Sequence, residues 1–179
     1  MHRLFVACRP PPFVRAQLTA MMGGVEGANW QRDEQLHITL RFIGEVDSRT
    51  ANDVASALEA VHASPLTLRL SGIGTFDQRG RIHTLWAGVE PKGPITQLHH
   101  KIDRALARAG LVPDERAYLP HVTLARFGAR LGDLSALAAA QAGFATQPFS
   151  VDQFSLYESL RTDDGMHYQA VADYPLAGP

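Results

Sequence analysis

His37-Ile38-Thr39-Leu40 and His121-Val122-Thr123-Leu124 are one tetrapeptide pattern met twice in a chain of 179 residues. A glycine follows each histidine seven positions on, at Gly44 and Gly128. Of the eight histidines, only these two have Thr two residues later. Chance alone would produce two such copies in roughly one chain in a thousand, which argues for an internal duplication. Alternation along a strand puts His and Thr on one face and Ile38/Leu40 or Val122/Leu124 on the other. A single His-x-Thr is ordinarily a polar stripe on a half-buried sheet. Packing, however, would accept Thr, Ser, Gln or Tyr in place of either histidine, so the repeat of histidine itself points to chemistry. Two such strands face to face would set two acid-base groups and two neutral donors around one small anion.

Working outward, Leu4 to Cys8 reads as a strand, and Pro10-Pro11-Pro12 opens a helix with Phe13, Val14, Leu18, Met21 and Met22 on one face. Leu36 to Ile43 is the first motif strand, and Asp47 or Ser48 caps a helix carrying Val54, Leu58 and Val61. Leu66–Leu70 and Ile82–Val89 are strands, and Pro94 starts a helix with the stripe Ile95, Leu98, Ile102 and Leu106, stopped by Gly110. Tyr118 to Phe127 is the second motif strand, followed by a short helix near Asp133 to Gln141. Phe149–Leu160 and His167–Tyr174 then pair across Thr162-Asp-Asp-Gly165. This order predicts an α+β fold of two similar lobes, each an antiparallel sheet with helices outside. Strands shared between the lobes make residues 1–179 a single domain.

Composition narrows the function. The hydrophobic content of 45% supports one domain-sized core, and no apolar run approaches a membrane span. The N-terminal apolar stretch is too short for a signal-peptide core, and a lone Cys8 excludes an internal disulfide, so the cytoplasm is the expected compartment. A net charge of −1 excludes a broad basic field, so contact with RNA should be confined to a terminal phosphate and its neighbours. No metal-binding spacing stands near either motif, and the motif threonines are poor zinc ligands, so no metal and no other cofactor is expected. His99 and His100 point in different directions from one helix and are expected to be solvated or partly packed.

The chain resembles the two-histidine phosphoesterases, most closely their RNA 2′,3′-cyclic phosphodiesterase or 2′-5′ RNA ligase branch. The likeness lies in Arg3-Leu-Phe-Val-Ala7, Leu36–Val46, Leu85-Trp-Ala-Gly88, Pro120–Arg126 and Phe154–Ser159, spread over nearly the whole chain. The resemblance implies a bilobal, pseudo-two-fold structure whose two antiparallel sheets face a central cleft. It also implies hydrolysis of RNA-terminal 2′,3′-cyclic phosphates to 2′-phosphomonoesters, with reversible ATP-independent 2′-5′ RNA ligation beside it. His37 would be the acid and His121 the base, although the pseudo-symmetry leaves that assignment open in the sequence itself.

Opening a cyclic phosphodiester takes a deprotonated water on one side and a protonated leaving oxygen on the other, roughly in line through phosphorus. Histidine titrates near neutrality, so two imidazoles can share these tasks. Thr39 and Thr123 would donate to the non-bridging oxygens. Arg126 matches a family arginine and is a candidate phosphate contact, but strict alternation puts it opposite His121, so it needs a bulge or strand end to reach in. By the same alternation Phe42 belongs to the core and Arg41 could line the cleft. Trp86 and Tyr157 are candidates for stacking on a base, with burial in the sheet as the commoner fate. RNA 3′ ends or small cyclic nucleotides such as ADP-ribose cyclic phosphate are the expected substrates, for a monomer with no membrane and no obligate protein partner. The competing reading is a non-catalytic nucleotide- or RNA-binding module, whose signature, a lost motif histidine, is not found.

Overall fold

The computed structural model describes residues 1–178. Nine strands run β1 His2–Cys8, β2 Ala28–Trp30, β3 Ile38–Val46, β4 Leu66–Gln78, β5 Arg81–Glu90, β6 His121–Phe127, β7 Phe149–Val151, β8 Gln153–Thr162 and β9 Gly165–Pro175. Four α-helices are interspersed: α1 Pro12–Met21, α2 Ser48–Glu59, α3 Lys92–Arg108 and α4 Ser135–Ala140. Eight strands form the antiparallel path β7-β4-β5-β6-β3-β1-β8-β9, with β2 added along β6.

The path divides at its centre. β6 and β3, the two motif strands, are joined there by a single pair, Ile38 opposite Val122. On one side β3-β1-β8-β9 form a lobe from both ends of the chain; on the other β6-β5-β4-β7 form a lobe from its middle. The two expected sheets are thus the halves of one path, each with its motif strand on the inner edge. Among the described residues, no helix is long and apolar enough to cross a membrane.

The helices form where the apolar spacing placed them. Asp47 caps α2 by accepting the Thr50 amide at 2.7 Å, and Val54 and Leu58 are fully buried. Ile95, Leu98, Ile102 and Leu106 of α3 are buried as one stripe. His99 lies in the same buried surface, only 3% exposed, rather than in solvent. Phe13 of α1 leaves its expected face and is 50% exposed.

One irregularity is repeated in both motif strands. Ala7 faces Thr39 while the next residue back, Val6, faces Arg41, so Leu40 is an extra residue in β3. Likewise Trp86 faces Thr123 and Leu85 faces Ala125, so Leu124 is extra in β6. A bulge shifts every later side chain to the other face. Arg41 and Ala125 therefore turn inward, at 8% and 0% exposure. Phe42 and Arg126 turn outward to the face of His37 and His121. The bulge at Leu40 corrects the alternation argument for Phe42 and Arg41, although Arg41 still borders a cavity beside Thr39 and His121, and the bulge at Leu124 supplies what Arg126 lacked.

Candidate active site

His37, Thr39, His121, Thr123 and Arg126 line one cavity of about 330 Å³ between the lobes. Each histidine is set by the same local device. The Nδ1–H of His37 donates to the Gln35 carbonyl at 2.6 Å. That of His121 donates to the Leu119 carbonyl, also two residues upstream, at 2.8 Å. A carbonyl can only accept, so the proton of each neutral ring sits on Nδ1 and the lone pair on Nε2.

The two rings differ in what Nε2 meets. The Thr39 hydroxyl donates to His37 Nε2 at 3.0 Å. No hydrogen bond to His121 Nε2 is found among the described residues, which leaves that lone pair available. Aromatic rings back both imidazoles. Phe5 lies 5.0 Å from His37 and Tyr168 meets it edge-on at 5.3 Å. Phe76 meets His121 edge-on at 4.9 Å, with Trp86 behind it at 6.2 Å.

Burial among these rings disfavours the charged imidazole. It pushes His37 down to about 4, with the neighbouring His121, Arg126 and Arg9 adding to the shift against the upward pull of the Gln35 carbonyl. His121 is also lowered, again by burial first and by Arg126 second. In the protein alone His37 is therefore neutral near pH 7, and the neutral form of His121 is favoured as well. An anion placed between them would oppose these effects, because it favours the protonated form of either ring.

The cleft holds groups the sequence reading did not assign. Arg3, Gln31 and Tyr168 join the cavity wall, and Phe42 is exposed in it. A second cavity of about 250 Å³ adjoins the first across Thr39, Phe42 and His121. Neither Trp86 nor Tyr157 lines these cavities: Trp86 lies over Gly74, where a Cβ would run into the ring, and Tyr157 stacks on Phe5 at 5.3 Å. Among the described residues, no group of three or more His, Cys, Asp or Glu is arranged to hold a metal ion.

Comparison with known proteins places these features in a family context. The family model of the 2′-5′ RNA ligase superfamily matches residues 10–163. An RNA 2′,3′-cyclic phosphodiesterase of Aeropyrum pernix is 32% identical over 81% of this chain and 84% of its own length. One from Geobacillus stearothermophilus is 30% identical over 83% of this chain, which spans about half (48%) of that longer protein. Among solved structures, the Thermus thermophilus protein TT0787 superposes with a TM-score of 0.81 at 25% identity, over 98% of both chains.

Proposed function

This chain belongs to the 2′-5′ RNA ligase superfamily, and from that membership and its cleft we propose that it hydrolyses 2′,3′-cyclic phosphates at RNA ends. One observation carries the reading: two imidazoles, each fixed by a carbonyl on Nδ1, reach one cavity together with both motif threonines and Arg126. The relatives of similar sequence are RNA 2′,3′-cyclic phosphodiesterases, which supports the same chemistry here.

In the proposed step, His121 Nε2 takes a proton from a water as its oxygen bonds to phosphorus. The bond to the ribose 3′-oxygen breaks, and that oxygen leaves with the proton of His37 Nε2–H, giving a 2′-phosphomonoester. The free lone pair on His121 supports its role as base. Protonated His37 can no longer accept from Thr39, so the Thr39 hydroxyl becomes free to donate to a non-bridging oxygen. Thr123 serves the other oxygen, and Arg126 offsets the charge. With an RNA 5′-hydroxyl in place of the water, the same step would open the cyclic phosphate, release the 3′-oxygen with the proton of His37 and leave a 2′-5′ linkage. All these groups come from one chain, which supports a monomer acting as one domain. We take the cytoplasm as the place of action, since the single cysteine, Cys8, is a free thiol.

The test is turnover of a 2′,3′-cyclic nucleotide with excess chelator present. Wild type should remain active, and His37→Ala or His121→Ala should each lower kcat by on the order of 10²–10⁴-fold. The double variant should be little worse than the poorer single one, because the two groups act in one step. Near wild-type turnover in either single variant would sink the two-histidine mechanism, and a wild type that binds the nucleotide without turning it over would leave the binding-module reading in front.

A further inference from the structure

The single strand pair between the motifs, Ile38 opposite Val122, is a weak tie for two groups that must act across one phosphate. A second tie lies beneath the cleft. The Tyr118 hydroxyl donates to the Thr39 carbonyl at 2.9 Å. The adjacent Leu119 carbonyl accepts from His121 Nδ1 at 2.8 Å. One dipeptide, Tyr118-Leu119, therefore bonds to both motifs. The Tyr118 ring in turn stacks flat on His99, with centroids 4.1 Å apart and planes 3° from parallel. His99, buried on α3, donates Nδ1–H to the Leu40 carbonyl at 2.6 Å. Leu40 is the extra residue of the first bulge, so its carbonyl stands outside the regular ladder.

The second motif solves the same problem differently. The carbonyl of its extra residue, Leu124, accepts the backbone amide of Gln31 at 2.8 Å. The duplication is thus broken at this point: a backbone amide holds one bulge, and a buried imidazole with a stacked phenol holds the other. Burial pushes the Tyr118 phenol up, so it remains a donor across the working pH range.

We infer that His99 and Tyr118 are positioning residues that lock the first-motif bulge to the segment carrying His121, and so fix the two histidines relative to each other. They act on the reacting groups through Thr39, Leu40 and Leu119, and both also border the smaller cavity beside the cleft. Loss of the phenol hydroxyl frees the Thr39 peptide, and with it the Thr39 hydroxyl bonded to His37 Nε2. Substrate can still bind, but the in-line arrangement of acid and base is lost, so the effect belongs in kcat.

The inference rests on the proposed phosphodiesterase reading. Its test compares wild type, Tyr118→Phe, His99→Gln and His99→Leu on a 2′,3′-cyclic nucleotide, with the histidine side-chain NMR signals followed during titration with inorganic phosphate. Tyr118→Phe keeps the stacked ring and should lower kcat by on the order of 10- to 100-fold, with KM within about threefold. His99→Leu should do the same, and His99→Gln, which keeps an N–H donor, should recover most of the loss. In both damaging variants the phosphate-bound signals of His37 and His121 should shift from their wild-type positions. A kcat within about twofold of wild type in Tyr118→Phe and His99→Leu overturns the inference. So does a loss that tracks only the fraction of unfolded protein. Wild type that fails to turn over the nucleotide would overturn the phosphodiesterase reading instead. The NMR arm would still decide the coupling, since unchanged histidine signals in Tyr118→Phe reject it without reference to turnover.

Discussion

An imidazole held near pKa 4, as His37 is in the protein alone, cannot donate a proton at neutral pH until something restores its charge. In the proposed mechanism the phosphodiester anion is that agent, and the coupling can be measured. Binding of inorganic phosphate should raise the His37 pKa, so the complex should take up protons from a near-neutral buffer, read by calorimetry in buffers of different ionisation enthalpy. Because the protonated ring binds the anion better, affinity should fall as pH rises through the pKa of the complex. Binding without proton uptake would mean that His37 is not the acid. The same depression has a sign in folding. Unfolded His37 has a pKa near 6.5 against about 4 when folded, so the unfolded chain binds more protons between those values. The contribution of His37 is fully present above pH 6.5 and is lost as pH falls toward about 4. His37→Gln should therefore lose less stability than wild type between the two ends of that window, measured by urea unfolding. A parallel loss in both proteins would contradict the burial account of the shift.

At the scale of the strand, what could be read from the sequence depended on whether an irregularity left a mark in the apolar pattern. In β6 it did: Leu124-Ala125 is an apolar doublet where alternation calls for one polar residue, and it coincides with the bulge. In β3 it did not, because Leu40-Arg41-Phe42 alternates perfectly on paper while the bulge reverses it in space. Arg41 consequently enters the protein, where its Nε donates to Asp103 at 2.7 Å and its Nη1 to the Phe42 carbonyl at 2.7 Å. Asp114 stands 3.6 Å away. β4 was underestimated for a related reason. It runs to Gln78, past the Leu66–Leu70 that alternation marks, with Ser71, Gly72 and Gly74 inside it, and Gly74 is kept small because Trp86 lies across it. The helix stripes carried no such ambiguity and fell where their spacing put them. The Arg41 network gives an element-scale prediction. Arg41→Ala would strand the Asp103 carboxylate in a partly buried site and should cost about 3–5 kcal/mol in denaturant unfolding. Arg41→Lys should recover little of it, since an ammonium cannot match the fixed donor directions with which the guanidinium meets a carboxylate and backbone carbonyls together. A loss below about 1 kcal/mol, the worth of an exposed pair, would show that the site is wetter than its geometry indicates.

For the molecule as a whole, the duplicated tetrapeptide disclosed two lobes and the four groups that meet between them, because those groups lie at strand positions fixed by the motif itself. Which strands build which lobe was not legible, since long-range pairing leaves no local signature. Phe149 to Leu160 reads as one strand, yet the chain pairs with β4 up to Val151 and with β1 from Ser155, changing lobes at Asp152. The same limit hid β2, three residues that extend β6 beside Arg126. Charge, by contrast, is a whole-chain property and makes a whole-chain prediction. With a net charge of −1, Arg126 and Arg3 lining the larger cavity, and Arg41 and Arg116 of the adjoining one paired with Asp103 and Asp114, the protein can neutralise one or two phosphates. For a single-stranded end, log Kobs against log salt should then have a slope of about −0.7 to −1.4. Affinity for a noncleavable 2′-phosphate end should level off after two or three nucleotides, and longer RNA should gain little. Binding of oligonucleotides of increasing length, each titrated at several salt concentrations, checks both statements together. A slope that steepens with length would reveal a phosphate track outside the cleft and make RNA binding, rather than end hydrolysis, the organising task of the surface. A flat response, with a cyclic mononucleotide binding as well as an RNA end, would instead favour a small cyclic nucleotide as substrate.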